Sequence, residues 1–313
     1  MKTLVIGGGG LIGSSLRNAF IREFGYHQQT HAVPWENIEH AVSALRRNVK
    51  DFLTECGTEA WVIAWCAGRG GFSSTSADLG SEHLYLNCVL DELTQSRNNN
   101  GVFFFASSAG AIYTDSGSQV FTEKSPTSVS NDYGRHKLEQ ENVVTQFAQS
   151  TKTKCVIGRL VSIYGPNQNL QKPQGLISRL CLSTLNRQVT DIYVPLGTTR
   201  NYLFADDAAN MIVAYISHVI LQESEKSGHV FLKIFCSYSS HSISTICKEV
   251  GVVARQKVLI NAHVREDSDL YPSYFNVDSV TTPDLTWMCQ TTLSAGIGSV
   301  FQSLKSRLQF SDR

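Results

Sequence analysis

The sequence lacks the cysteine and histidine spacings that usually mark a metal site or a disulfide framework. Its eight cysteines are scattered, and no two of them form a Cys-x-x-Cys pair, a pattern that favours buried free thiols. His27 and His31 are close in sequence, but the segment around them is typical of a turn that enters a strand, so the two rings would not share a helical face. We therefore predict no metal site.

The sequence also lacks an excess of charge of one sign and a long apolar run near its start. Lys plus Arg number 27 and Asp plus Glu number 27, so the formal net charge is zero. The absence of a basic tract argues against a nucleic-acid partner. Residues 1–13 contain one lysine, a short apolar run and then glycines, which resembles neither a signal peptide nor a membrane span. We expect a cytoplasmic protein that binds neither nucleic acid nor membrane.

Short apolar runs alternate with longer amphipathic stretches through the first half of the chain. This alternation is typical of parallel strands joined by right-handed crossover helices. A chain of 313 residues suits an α/β fold with a Rossmann-type doubly wound parallel sheet and a smaller C-terminal substrate domain. The predicted strands are 3–6, 30–33, 61–66, 102–106 and 155–160, and the predicted helices are 12–24, 38–53, 81–97 and 131–149.

The character of the sequence changes after Tyr164, where Gly165-Pro166-Asn167-Gln168 is typical of a loop. We predict a dinucleotide-binding domain over residues 1–164, to which the chain returns near 200–235. Residues 165–313 would form mainly a substrate-binding region.

Three glycines, Gly7, Gly10 and Gly13, lie between the first predicted strand and the first predicted helix. Missing side chains let the backbone turn tightly and approach a pyrophosphate, whose charge the helix N-terminus stabilises. This position predicts dinucleotide binding, and the alternative is a plain tight turn. A carboxylate normally follows the second strand and grips the cofactor ribose. Val33-Pro34-Trp35 stands there instead, with Glu36 just beyond, so NAD is favoured and NADP stays open.

Of the 11 tyrosines, only Tyr133 has a lysine four residues later, Lys137. Asn131 and Asp132 are residues that start helices, so this spacing places both side chains on one helical face. A phenol with a pKa of about 10 is a poor base at neutral pH, but an adjacent ammonium and an oxidised nicotinamide would stabilise the phenolate. Tyr133 could then exchange a proton with a carbinol oxygen. The alternative is a pair on a helix surface.

Further motifs follow at residues 64–68, 105–113, 159–166 and 200–207. Together with the glycines and the Tyr133/Lys137 pair, they show that the sequence resembles the extended short-chain dehydrogenases/reductases over nearly its whole length. The resemblance is to the NAD-dependent epimerase/dehydratase family, which includes UDP-glucose 4-epimerase.

The resemblance implies roles for individual residues. Tyr133 would be the acid/base, and Lys137 would bind the nicotinamide ribose and lower the pKa of Tyr133. Arg200 would clamp the substrate diphosphate, a role suited to its fixed fork of donors. Helices 81–97 and 131–149 would form the contact of a homodimer. The implied cofactor contacts are Gly7, Gly10, Leu11, Ile12, Gly13, Ala67, Gly68, Asn87, Tyr133 and Lys137.

The sequence departs from the family pattern at two positions. Ala109 stands where the family usually has its catalytic Ser or Thr, and Ser162 replaces the substrate-orienting Asn of Arg-x-x-Asn-x-Tyr-Gly-Pro. We expect Ser108, one position before Ala109, to take over the missing hydrogen bond and to contact substrate with Ser162 and Arg200. The alternative is that Ser107 and Ser108 only cap the end of a strand.

The favoured function is an NAD-dependent nucleotide-sugar epimerase, in which a hydride leaves a sugar carbon and returns to its other face. One alternative is an NADPH-dependent nucleotide keto-sugar reductase, because the second-strand carboxylate is missing. Another is a catalytically silent dinucleotide-binding sensor, which Ala109 favours and Tyr133, Lys137 and Arg200 disfavour. Dehydration is disfavoured because Gly110 and Ala111 replace the Asp-Glu pair of family dehydratases.

Overall fold

The computed structural model describes residues 1–28, 30–71, 74–96, 98–113, 120–170, 174–222, 228–263 and 274–311. The helices are α1 (Leu11–Phe24), α2 (Ile38–Cys56), α3 (Ser76–Ser96), α4 (Ala109–Ile112), α5 (Asp132–Thr151), α6 (Leu176–Leu185), α7 (Ala205–Ile220), α8 (Ile243–Ala254) and α9 (Leu293–Ser311). The strands are β1 (Lys2–Ile6), β2 (Trp61–Trp65), β3 (Gly101–Ser108), β4 (Lys154–Leu160), β5 (Ser162–Tyr164), β6 (Thr190–Ile192), β7 (Thr199–Phe204), β8 (Val230–Phe235), β9 (Ser240–Ser242) and β10 (Ile260–Ala262). In the described part of the chain, no helix is long and apolar enough to cross a membrane.

Five parallel strands form the central sheet in the order β1, β2, β3, β4, β8. Every residue of β2 is buried, as expected for a strand covered on both faces. Apolar side chains of α1 and α7 pack on one face, and those of α2, α3 and α5 pack on the other. The structure therefore confirms the predicted doubly wound Rossmann-type sheet.

The start of α5 is set by a side-chain cap. Asn131 Oδ1 accepts a hydrogen bond from the Gly134 N–H at 2.8 Å, which satisfies one of the amides that a helix leaves unpaired at its start. Farther along, Phe147 packs edge-on against Phe103 of β3, with ring centroids 6.1 Å apart. The cap and this packing place Tyr133 in the first turn of α5, next to the sheet.

The predicted strand at 30–33 is wrong. The segment before it makes a backbone hydrogen bond to β1, from the Gln28 N–H to the Thr3 carbonyl at 3.0 Å. Asn48 of α2 then binds both the N–H and the carbonyl of His31, at 2.8 and 3.1 Å. These side-chain bonds satisfy the backbone groups that a strand would offer to a neighbour. Residues 30–32 are also exposed, so burial provides no reason to pair them.

Several other boundaries differ from the prediction by a few residues, as at the end of α2, which is Cys56 rather than residue 53. Strand β3 continues past Ala106 to Ser108, and a helical turn starts at Ala109. Helix α3 begins at Ser76, before the predicted start at residue 81, and its predicted end at Arg97 lies outside the described residues.

The smaller C-terminal part contains a three-stranded sheet in the order β5, β7, β9 and a pair formed by β6 and β10. Its apolar cluster is built mainly by α6, α8 and α9. Between these elements the chain returns to the first part of the fold, because α7 packs with α1 and β8 is the fifth strand of the central sheet.

Candidate active site

A cavity of about 870 Å³ lies where the carboxyl ends of the central strands meet the C-terminal elements. Ligands of doubly wound folds bind at this edge of the sheet. Gly7, Gly13 and Asn87 are not part of its lining. The lining includes these residues singled out from the sequence: Gly10, Leu11, Ile12, Ala67, Gly68, Ser108, Tyr133, Lys137, Ser162 and Arg200.

The glycine loop is shaped by close backbone contacts. Gly7 has a positive φ of 87°, and a Cβ there would lie 2.5 Å from the Ala67 nitrogen. A Cβ on Gly13 would lie 2.2 Å from the Gly7 carbonyl oxygen. Gly10 is the N-cap of α1, and no side chain of the described residues caps this helix. Gly7 and Gly13 therefore let β1, β2 and α1 approach one another, and the first turn of α1 presents its amides to the cavity.

Tyr133 lies against the segment that follows β2, since a Cβ on Gly70 would be 3.1 Å from its ring. Its side chain forms a hydrogen bond with Ser108, which ends β3. Burial raises the pKa of Tyr133, a nearby carboxylate at Glu82 raises the pKa further, and the bond to Ser108 opposes both effects. At neutral pH the phenol is therefore protonated in the protein alone.

Lys137 is one turn farther along α5 and is almost completely buried. Its Nζ donates to Gln140 Oε1 at 3.1 Å and lies 5.1 Å from the ring centroid of Phe105 and 5.8 Å from that of Tyr133. Burial lowers the pKa of Lys137, and the negative charges of Glu82 and Glu141 act in the opposite direction. The ammonium is thus positioned to stabilise a Tyr133 phenolate.

A buried ion pair holds α5 against β3 and β4. Arg159 Nη2 lies 2.7 Å from Glu141 Oε2, and Arg159 Nε donates to Glu141 Oε1 at 3.0 Å. Glu141 Oε1 also accepts a hydrogen bond from Ser107 Oγ at 2.6 Å. Because Ser107 is engaged in this network, it differs from its neighbour Ser108, which faces Tyr133. The ion pair fixes the relative position of Ser108 and the helix that carries Tyr133.

The sequence profile of the NAD dependent epimerase/dehydratase family matches residues 3–230. The chain belongs to this family. The match confirms the resemblance inferred from the motifs. The chain therefore departs at Ala109 and Ser162 from the pattern of a family to which it belongs.

The sequence identity to individual relatives is low or limited to part of the chain. The chain is 36% identical to dTDP-L-rhamnose 4-epimerase of Burkholderia thailandensis over 97 residues, which are 31% of this chain and 26% of that protein. It is 27% identical to UDP-glucose 4-epimerase of Corynebacterium glutamicum over 281 residues, covering 80% of each. The chain thus spans about a quarter of the first relative's length.

A solved structure of similar fold is the UDP-glucuronic acid 4-epimerase of Bacillus cereus in complex with UDP-glucuronic acid and NAD. The TM-score is 0.75 at 19% identity, and the similarity covers 98% of this chain and 100% of that one. At this identity the similarity shows a common fold.

Ala109, where family members usually have Ser or Thr, is completely buried in the apolar cluster beneath the cavity. Its neighbour Ser108 is the residue that reaches Tyr133. The other departure, Ser162, begins β5 and is exposed at the cavity. On β7, beside β5, Arg200 donates from Nη1 to the Thr199 carbonyl at 2.7 Å.

Glu82 is a buried carboxylate in the cavity wall that the motif analysis missed. It is 6% exposed, and its Oε1 accepts hydrogen bonds from the backbone N–H groups of Arg69 and Gly70, the latter at 2.8 Å. In α3 it lies on the same stripe as the buried residues Tyr85 and Leu86. An acidic residue on the apolar stripe of a helix is the sequence signal that could have identified it.

We expect Glu82→Gln to lower the pKa of Tyr133. The carboxylate disfavours the phenolate, so removing its charge makes ionisation easier, while the amide oxygen of glutamine can still accept both backbone hydrogen bonds. The expected result is phenolate absorbance that appears at lower pH than in the wild type, after subtraction of the Tyr133→Phe spectrum. Glu92→Gln, on the same helix but outside the cavity lining, is the matched control. An unchanged titration in Glu82→Gln would contradict the electrostatic coupling.

Proposed function

We propose that this chain is an NAD-dependent nucleotide-sugar epimerase. The observation that carries the proposal is that one cavity brings together the uncapped N-terminus of α1, the Tyr133/Ser108 pair, Lys137 and Arg200. The helix N-terminus suits the pyrophosphate of a dinucleotide. The Tyr133/Ser108 pair and Lys137 suit acid/base chemistry, and Arg200 suits the diphosphate of a substrate. Two epimerases among the curated relatives and the nucleotide sugar and NAD bound by the B. cereus epimerase also support it.

The residues present fit NAD. The absence of side chains at Gly7 and Gly13 allows the backbone approach that a pyrophosphate requires, and the amides of the first turn of α1 would hold its charge. Ala67 and Gly68, after β2, would line the nicotinamide side. When bound, NAD supplies the hydride acceptor and returns the hydride. The oxidised nicotinamide also adds a positive charge that counteracts the effect of Glu82 on Tyr133.

Tyr133 would accept the proton of the sugar hydroxyl as that carbon is oxidised and would give the same proton back as it is reduced. Lys137 would stabilise the Tyr133 phenolate before it accepts this proton and after it returns it, and Ser108 would hydrogen-bond the phenol oxygen or the reacting sugar oxygen. Hydride and proton both return to the sugar, so the reaction balances without net oxidation.

Ser108→Ala is expected to lower turnover by about 10-fold or more. One hydrogen bond to a charged group contributes roughly 1.5–3 kcal/mol. Ser108 is the residue whose side chain bonds the Tyr133 hydroxyl. Steady-state rates and the NAD affinity of the purified variant test this prediction. Ser107→Ala is not a suitable control, because it would remove the hydrogen bond from Ser107 to Glu141. Ala109→Ser should preserve or raise turnover. Unchanged turnover in Ser108→Ala would show that another group makes this bond.

Arg200→Ala is expected to raise the KM for the nucleotide sugar by roughly 10- to 100-fold, because one charged donor to the diphosphate is lost. The affinity for NAD should stay nearly unchanged. Calorimetric titration of the variant with each ligand separates the two effects. Arg22→Ala, which removes an exposed arginine bound to Asn210, is the control. Equal weakening for both ligands would assign Arg200 a structural role.

A nucleotide keto-sugar reductase using NADPH is the second candidate. Burial and Glu82 hold Tyr133 protonated in the protein alone, which is the form that donates a proton to a ketone. In addition, residues 30–33 form no strand that could carry a ribose-binding carboxylate.

Incubation with UDP- and dTDP-hexoses and catalytic NAD tests the proposal. We expect an epimeric product by NMR with no net change in nicotinamide absorbance. Stoichiometric oxidation of NADPH, only in the presence of a keto-sugar, would instead establish the reductase. Binding of dinucleotide without turnover of any sugar would establish a sensor.

A further inference from the structure

We propose that α3 and α5 together form a site for one divalent transition-metal ion, with His83, His136 and Glu139 as ligands. One donor atom from each of these side chains lies within 4.8 Å of the others. Two imidazoles and a carboxylate are a ligand set that suits Zn²⁺ and neighbouring first-row metals. The inference does not depend on the proposed epimerase activity.

The two helices place the three ligands on facing surfaces. His136 and Glu139 are three residues apart on α5 and therefore share a face of that helix. His83, on α3, meets this face, with its ring centroid 5.8 Å from that of His136 in an edge-to-face arrangement. Donor atoms in a tetrahedral zinc site with bonds of about 2.0–2.1 Å are about 3.4 Å apart. Small rotations of the side chains would thus close the site around an ion.

A buried carboxylate also lies beside the second ring nitrogen of His136. His136 is only 8% exposed, and its buried Nε2 has no hydrogen-bond partner among the described residues. The buried Oε2 atom of Glu82 has no hydrogen-bond partner in the described part of the chain either, but it lies 3.8 Å from this Nε2, within ion-pair distance. A proton on Nε2 would let these two atoms pair, and burial makes that pairing favourable.

Metal binding at Nδ1 would keep that proton on Nε2. If Nδ1 of His136 binds the ion, its Nε2 carries the proton and donates it to Glu82, which is the usual carboxylate–histidine–metal arrangement. Glu82 Oε1 already holds the N–H groups of Arg69 and Gly70 in the cavity wall. The ion would therefore brace α3, α5 and the wall beside Tyr133. Glu139 is exposed, so the ion can enter from solvent and keep water as a further ligand.

Titration of the tag-free protein with Zn²⁺ against a chromophoric chelator tests the proposal. We expect one ion per chain, and replacement by Co²⁺ should give the d–d absorption of a four- or five-coordinate site. His83→Asn and Glu139→Gln should each weaken binding by at least ~100-fold, since loss of even an outer-shell partner costs about 10- to 100-fold. Glu82→Gln should weaken binding by about 10- to 100-fold for that reason.

His31→Asn is the matched control, because His31 is a histidine on the surface beside a carboxylate, with its Nε2 3.7 Å from Asp51. It should bind Zn²⁺ like the wild type. Thermal unfolding without metal should be unchanged in Glu139→Gln, since this side chain is exposed. Wild-type affinity in both His83→Asn and Glu139→Gln, or an equal loss in His31→Asn, would overturn the proposal.

Discussion

Tyr133→Phe is expected to lower kcat by roughly 10²- to 10⁴-fold, the contribution usual for a positioned acid/base. Affinity for NAD should stay nearly unchanged, because the phenylalanine ring fills the same space against Gly70 and only the hydroxyl is lost. Steady-state kinetics and a binding titration with NAD check the two halves of this prediction.

Tyr85→Phe is the matched control. Tyr85 is a buried tyrosine whose hydroxyl donates to the Trp35 carbonyl at 3.2 Å, and it is not part of the cavity lining. Loss of the Tyr85 hydroxyl should change the temperature of the unfolding midpoint and leave kcat nearly unchanged. Comparable rates in the Tyr133→Phe and Tyr85→Phe proteins would remove Tyr133 from the mechanism.

Lys137→Met is expected to lower kcat/KM by about 10²- to 10³-fold. The methionine keeps the length of the side chain between the Phe105 and Tyr133 rings but removes the ammonium. A charged hydrogen bond to the cofactor ribose contributes roughly 1.5–3 kcal/mol, and loss of the nearby positive charge also raises the pKa of Tyr133. Both NAD affinity and kcat should therefore fall, and the pH at which activity rises should move upward.

Lys154→Met separates these effects from a general loss of stability. The Lys154 ammonium caps the C-terminus of α7 by donating to the carbonyls of Val219, Ile220 and Gln222. We expect this variant to unfold at lower temperature with an unchanged pH profile. A Lys137→Met protein that loses only stability would show that Lys137 has a structural role.

Much of the central sheet could be predicted from the sequence because fully buried strands appear as short continuous apolar runs. Trp61–Trp65 is such a run, and every residue in it is buried. Residues 30–33, Thr-His-Ala-Val, are half polar, and their His31 backbone is held by Asn48, a side chain on a helix that follows them in sequence. Local periodicity carries no information about such a contact. The expected homodimer and cytoplasmic location stay predictions.

The residues of the candidate site also differ in whether the sequence could reveal them. The glycine loop and the Tyr133/Lys137 pair could be found because each is a short motif within a single element. Glu82 could have been identified from its place on the apolar stripe of α3, but its contacts with the segment after β2 and with α5 could not. The His83, His136 and Glu139 cluster could not be found by spacing, because its members come from α3 and α5. The prediction of no metal site rested on spacings within single segments, and such spacings do not report on ligands that helix packing brings together.

The most direct test of the central claim follows a deuterium at the reacting carbon of the sugar. The nucleotide sugar that turns over is labelled at that carbon and incubated with the enzyme and substoichiometric NAD. An epimerase that removes and returns the same hydride must give an epimer that retains the deuterium at that carbon, with no reduced nicotinamide accumulating. An epimer that has exchanged the label for solvent hydrogen, or label transferred to the nicotinamide without any epimer, would contradict the account.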